Sequence, residues 1–181
     1  MPRIRPIDPA TAIGAVADQL VVTREFLGST PNLFTTAANS AAALTAMNAC
    51  FLALGKGTLG GKVGERVAIA IAQANGCQYC LSAHTALGQM QGVDAAELEA
   101  ARRGISTDGR AQAAISFALE IVATRGRVND ASLVRARAAG LTDSEIVELV
   151  GHVALNVFTN YLNNLAGTDV DFPVIALEQA A

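Results

Sequence analysis

The chain has 181 residues, with 13 Lys and Arg against 16 Asp and Glu, for a net charge of −3 at pH 7. Hydrophobic residues make up 51% of it, charged residues 16% and aromatics 4%, with no Trp, a mixture that predicts one domain of close-packed, alanine-rich helices. No Lys/Arg block is present beyond Arg102-Arg103, placed where a helix dipole favours cations, which argues against nucleic acid as a partner, and no apolar run is long enough to span a bilayer.

Few charges and a positive mean hydropathy predict more apolar surface than a small monomer hides, and therefore a homo-oligomer. The opening "MPRIRPIDPATAIG" lacks the apolar core of a secretory signal, and 3 cysteines, an odd number, do not make a disulfide framework. The expected location is the cytoplasm.

Helix signals follow one another along the chain. Asp8-Pro9 predicts an N-cap and N1 pair opening a helix to about Phe26, and Thr30-Pro31 opens a short one by the same device. An apolar helix is expected from about Ser40 to Leu54, closed by Gly55 and Gly57. Another runs from about Gly61 to Ala74, where Asn75-Gly76 interrupts it. The segment "CQYCLSAHTALG" starts the next, which reaches about Gln91 with Gly92 just beyond it. Asp94-Ala95-Ala96-Glu97 resembles a capping box for a helix that stops at Gly104. Asp108 opens a helix to about Thr124, "NDASLVRARAAG" makes a shorter one, and Thr142-Asp143-Ser144-Glu145 is a capping box for a helix to about Leu165, closed by Gly167. Strand-type alternation is nearly missing, so the fold class is all-α. "GVDAAELEA" and "GLTDSEIVE" echo each other, but this is read as a recurrent way of starting helices rather than a repeat. No linker divides residues 1–181 into two domains, and the residues after Pro173 read as a tail.

Cys77 and Cys80 form C-x2-C in the first turn of a predicted helix, and His84, four residues after Cys80, shares its face. Unpaired N–H groups and a partial positive charge at a helix N-terminus favour thiolate over thiol. A cysteine of pKa ~8.5 is about 3% thiolate at pH 7, and lowering the pKa by ~2 units, equivalent to about 2.7 kcal/mol, makes it roughly three-quarters thiolate. Glu65 lies twelve residues before Cys77 on the preceding helix; the Asn75-Gly76 break allows that helix to fold back beside the cysteine helix, where a carboxylate would be placed to hold His84, directly or through water. From spacing alone, a surface pairing of Glu65 with Lys62 or Arg66 is the preferred reading.

"GERVAIAIAQANGCQYCLSAHTALG" resembles the active-site segment of the alkylhydroperoxidase D-like (AhpD-like) group of the carboxymuconolactone decarboxylase superfamily. The shared pattern, Glu-x11-Cys-x2-Cys-x3-His, stands here as Glu65, Cys77, Cys80 and His84. "TPNLFTTAANSAAALTAM" upstream and "LTDSEIVELVGHVALNVFTNYLNNLAG" downstream are similar to family segments too. The resemblance implies an AhpD-like helical bundle with its active-site core at about residues 40–125, assembled as a dimer, trimer or hexamer. It implies a peroxidase-type oxidoreductase that reduces peroxide or an organic hydroperoxide, needing no metal or bound cofactor. Cys80 would attack, Cys77 would resolve the sulfenic acid to a disulfide, and Glu65 and His84 would relay the proton. A lipoyl- or thioredoxin-like dithiol would restore the thiols. The family's additional relay histidine is replaced here by Tyr79, a phenol that titrates near ~10 and is a poor base at neutral pH.

Three alternatives compete. A zinc site has Cys77, Cys80 and His84 at ligand-like spacing, with Glu65 or Cys50 as the only available fourth ligand. The decarboxylase branch of the superfamily, or another member acting on a different small molecule, shares the fold without needing the thiol pair. A non-enzymatic oligomer would merely sense oxidation. A thioredoxin-like site is excluded, because its C-x2-C follows a strand. Cys50 is expected as a buried small hydrophobe, His152 as a core or interface histidine, and Met47 and Met90 as core fillers. Asn156 and Asn160 share a face of the last helix, where pairing across helices is favoured over contact with substrate.

Overall fold

A computed structural model describes residues 1–178 and is all-helical among them. In chain order the helices are α1 (Gly14–Leu27), α2 (Asn32–Ala37), α3 (Ala41–Leu54), α4 (Gly61–Ala74), α5 (Gln78–Met90), α6 (Ala95–Arg102), α7 (Gly109–Thr124), α8 (Asp130–Ala138) and α9 (Asp143–Ala166). None of them is long and apolar enough to cross a membrane.

The caps explain most of these boundaries. Ser40 accepts from the Ala43 amide, Asp108 from those of Arg110 and Ala111, and Thr142 with Glu145 forms the reciprocal box that starts α9. Each satisfies amides that the first helical turn leaves unpaired. The expected helix at Asp8-Pro9 is reduced to one turn. The Asp8 carboxylate takes the Ala10 amide at 2.9 Å, but Gly14 then adopts φ +59° and the helix proper begins only there.

α4 is the central helix and packs against α5, α6, α7 and α9. It is buried without a break from Arg66 to Ala72, so that run is enclosed on every side. Its alanines let neighbours approach closely, and Ile69, Ile71, Leu81, Ile115 and Leu149 fill the space between them.

Arg66 is the charged residue in that run. Its guanidinium bonds Glu97 at 3.0 Å, Ser106 at 3.1 Å and Asp108 at 3.3 Å, joining α4 to the α6–α7 connection. This explains why the Asp94 cap lacks its return contact: Asp94 caps Ala96, but Glu97 is committed to Arg66, Ser106 and Thr107. Hydrogen bonds from Ser106 and Thr107, more than the Arg66 charge, hold the Glu97 carboxyl down at about 2 against the cost of burial. The Arg66 and Glu97 side chains are 8% and 16% exposed, so Arg66→Ala breaks a largely enclosed ion pair that joins α4 to α6 and α7, although Ser106 and Thr107 still donate to the carboxylate. Urea unfolding at pH 7 is expected to show a loss of about 3 kcal/mol. The folded carboxyl titrates below the unfolded one, so its stabilisation is complete above the unfolded value near ~4.3 and is lost as pH falls toward 2. Glu97→Gln should lack that acid-labile part of the profile.

Two expectations about burial are overturned. Cys50 is exposed, because α3 turns Leu44, Met47 and Asn48 to the core and leaves Ala46, Ala49 and Cys50 on the far side. Met90 ends α5 with 83% of its surface open, while Met47 is fully enclosed. The segment after Pro173 is also no free tail. Ile175 donates its amide to the Ser82 hydroxyl at 3.0 Å, Arg102 bonds the Ala176 carbonyl, and Ile175 and Leu177 pack on the core. The last part of that predicted tail, 179–181, lies outside the described residues.

Candidate active site

The α4–α5 hairpin builds the site. Gly76, at φ +62°, turns the chain so that α5 runs back along α4, and the Cys77 amide closes on the Ala72 carbonyl at 2.9 Å. Cys77 is the N-cap of α5, its sulfur accepting from the Cys80 amide at 3.4 Å. Both sulfurs are enclosed, Cys77 at 0% and Cys80 at 2% exposure.

One turn further along α5, His84 Nδ1 meets Glu65 Oε2 at 2.8 Å, and Gln91 donates to Glu65 Oε1 at 3.0 Å. Glu65 is therefore turned inward on His84, and the surface pairing with Lys62 or Arg66 does not form. Gly88 lies beneath this pair. A Cβ there would lie 2.6 Å from Leu98 Cδ2, so a larger residue would force the Leu98 side chain to shift, and it would touch the Glu65 Cβ at 3.6 Å.

The electrostatics separate the two thiols. A hydrogen bond from Cys77, with the charge of His84 and the amides of Asn163 and Asn160, outweighs burial and brings Cys80 down to about 6. That value makes Cys80 roughly nine-tenths thiolate at pH 7. Cys77 moves the other way: donating its proton to Cys80, being buried and sitting beside that negative charge all raise it. Burial alone would neutralise His84, but the Glu65 charge and hydrogen bond and the Cys80 charge overcome it and raise its pKa. These shifts all act toward a Cys80 thiolate, a charged His84 imidazole bonded to Glu65, and a Cys77 thiol.

Two clefts meet at His84. An apolar one of about 200 Å³ reaches Cys80 between Leu33, Phe34, Leu87 and Phe172, with Met90 at its rim. A polar one of about 190 Å³ lies on the other side, lined by Glu65, Gln91, His152 and Asn156. No Lys or Arg lines either cleft.

The Tyr79 hydroxyl is engaged by α2, not by Glu65 or His84. It accepts the Leu33 amide at 3.1 Å, the ring stands edge-on to Phe172, and burial pushes the Tyr79 pKa well up. It ties α5 to the start of α2 instead. Among the described residues no group of three His, Cys, Asp or Glu side chains is arranged to share a metal ion, so the zinc alternative lacks a ligand set.

His152 and Asn163 are the site residues that sequence reasoning missed. His152, expected as a core or interface histidine, faces the polar cleft, where burial lowers its pKa against the pull of Glu148 and Glu65. Asn163 donates to Cys80 Sγ at 3.2 Å. The available signal was a polar stripe, His152, Asn156, Asn160 and Asn163, along one face of an otherwise apolar helix.

The family model for the carboxymuconolactone decarboxylase family matches residues 38–124, the stretch from α3 to α7 that holds Glu65, both site cysteines and His84. Just under half of the chain thus matches the carboxymuconolactone decarboxylase family. Its fold is AhpD-like. The structure of a protein from Ralstonia eutropha JMP134, described as an alkylhydroperoxidase AhpD core and peroxidase-related, superposes with a TM-score of 0.80 at 23% identity over 94% of this chain and 92% of that one. A peroxidase-related protein from Silicibacter sp. TM1040 gives 0.79 at 22% identity over 93% and 91%. A cysteine-to-alanine variant of the debrominase Bmp8, in complex with 2,3,4-tribromopyrrole, gives 0.78 at 16% identity over 93% and 91%. At such identities these likenesses establish a shared fold. No curated protein matches the sequence.

Proposed function

We propose that this protein is a thiol-dependent peroxidase that reduces organic hydroperoxides with Cys80 and Cys77. The observation that carries the reading is a low-pKa Cys80 at the end of an apolar cleft, beside a second, protonated thiol. The Cys80 thiolate attacks the terminal peroxide oxygen; an S–O bond forms as the O–O bond breaks. The departing alkoxide takes the proton of the His84 imidazolium, which Glu65 has held in place, and leaves as an alcohol. Cys77 then attacks the sulfenic sulfur, forming the disulfide and releasing water. The two sulfurs supply the two electrons, and an external dithiol of lipoyl or thioredoxin type returns them.

The apolar walls of the cleft favour an alkyl or aryl hydroperoxide over hydrogen peroxide. A peroxide-consumption assay coupled to small dithiols should give cumene hydroperoxide a kcat/KM about tenfold or more above that of hydrogen peroxide, matching ~1.4 kcal/mol of apolar burial. Preference for hydrogen peroxide, or no consumption of either, would overturn the reading. The Bmp8 likeness favours a second reading. The same thiol pair would remove halogen from a compact apolar arene, yielding the arene, halide and the disulfide. Release of bromide from a bromopyrrole without peroxide turnover would select it. The superfamily's decarboxylase chemistry is disfavoured, since an anionic lactone acid would find no Lys or Arg in either cleft, and the His84 imidazolium is already paired with Glu65.

Self-association belongs to the same proposal. Val147, Val150, Phe158, Tyr161 and Leu165 form an exposed apolar stripe along α9, which a homo-oligomer would cover.

A further inference from the structure

We infer that Asn163 and Asn160 form a neutral donor pocket for the reacting sulfur of Cys80, holding it first as thiolate and then, through its oxygen, as sulfenic acid. The inference rests on Cys80 being the reactive thiol of the proposed function.

Buried carboxamides are normally satisfied on both sides. Asn48 follows that rule, its amide donating to Gln19 and its oxygen accepting from Thr23 at 3.0 Å. The asparagines of α9 do not. Asn163 is 3% exposed, its Nδ2 bonds Cys80 Sγ at 3.2 Å, and its Oδ1 has no partner. Asn160 is fully enclosed; Asn75 Nδ2 donates to its Oδ1 at 2.9 Å, which leaves the Asn160 Nδ2 without an acceptor.

Asn163 Nδ2 thus meets the sulfur, and one helical turn away the Asn160 Nδ2, close enough to act on the Cys80 thiol, has no acceptor of its own. A neutral thiol is a poor acceptor, whereas a thiolate or a sulfenic oxygen is a good one. The pocket therefore matches the states that Cys80 passes through in turnover better than a resting thiol. Asn163 binds the sulfur directly, and the free Asn160 N–H2 is available for the oxygen that attack transfers to it. Both amides act in the direction of a lowered Cys80 pKa. They are carboxamides, so their donor strength stays constant across the pH range in which His84 and Cys80 titrate.

The test uses the full chain with the exposed Cys50 replaced by serine. The rate of Cys80 alkylation by iodoacetamide is followed against pH, with the thermal midpoint measured alongside. Asn163→Leu, close in shape, is expected to move the alkylation midpoint up by about one pH unit, a tenfold loss of thiolate below it. An unchanged midpoint in a folded variant would overturn the inference. So would a lower midpoint, which would put the amide oxygen rather than the nitrogen on the sulfur. A second measurement needs no change at Asn163. Its side-chain 15N–1H signals should titrate with the Cys80 midpoint near 6, and no movement through that range would contradict direct contact. Neither readout requires peroxide. A protein that shifts as expected yet consumes no hydroperoxide would sink the peroxidase reading and leave the donor pocket standing.

Discussion

Cys80→Ser is expected to abolish hydroperoxide reduction, lowering kcat/KM on the order of 10³-fold or more. Cys80 is the sulfur at the end of the apolar cleft, and its lowered pKa gives it thiolate character at neutral pH. A serine hydroxyl has no comparable ionised fraction and cannot accept the oxygen reversibly. Cys77→Ser should behave differently. The thiolate still attacks, so one equivalent of hydroperoxide is consumed, and the sulfenic acid persists because no neighbouring thiol resolves it. A dimedone adduct on Cys80 in Cys77→Ser, absent from Cys80→Ser, would separate attack from resolution. Equal slow turnover by wild type and Cys80→Ser would end the thiol mechanism.

The second large effect concerns the Glu65–His84 pair and its pH dependence. Attack needs Cys80 ionised, which improves as pH rises through about 6. Protonation of the leaving alkoxide needs His84 charged, which fails above its raised pKa. The kcat/KM profile should therefore be bell-shaped. His84→Ala removes the nearby positive charge, so the Cys80 midpoint rises and the acid limb moves to higher pH. Losing the proton donor costs a further factor of about 10² to 10⁴. Glu65→Gln acts on the other limb. Burial is then opposed only weakly, the His84 pKa falls, and the alkaline limb moves to lower pH. Alkylation and turnover profiles of both variants check these signs. An unchanged acid limb in His84→Ala would mean that the imidazolium does not support the thiolate.

Most of the helix boundaries were legible because capping and glycine termination are local. The Ser40, Asp108 and Thr142 caps act within three residues of themselves. Cys77, Cys80 and His84 were legible for the same reason, since they sit on successive turns of α5. Glu65 needed the hairpin, and spacing alone pointed it outward; the Gly76 turn brings it onto His84. Residues whose partners are far along the chain stayed hidden. Asn163 meets Cys80 across 83 positions, and no periodicity encodes which helix α9 lies against. Cys50 and Met90 went wrong because apolarity does not specify which face of a helix meets the core. The segment after Pro173 was misread for a related reason: its order comes from Ser82, Gln73 and Arg102, not from a pattern of its own.

The central claim is that Cys80 and Cys77 together deliver two electrons to a hydroperoxide. The direct test is a single turnover of the reduced Cys50→Ser protein with one equivalent of cumene hydroperoxide, analysed by thiol titration and peptide mass spectrometry. Both remaining thiols should be lost, with a Cys77–Cys80 disulfide and one equivalent of cumyl alcohol formed. Two free thiols and intact hydroperoxide at the end of the reaction would contradict it.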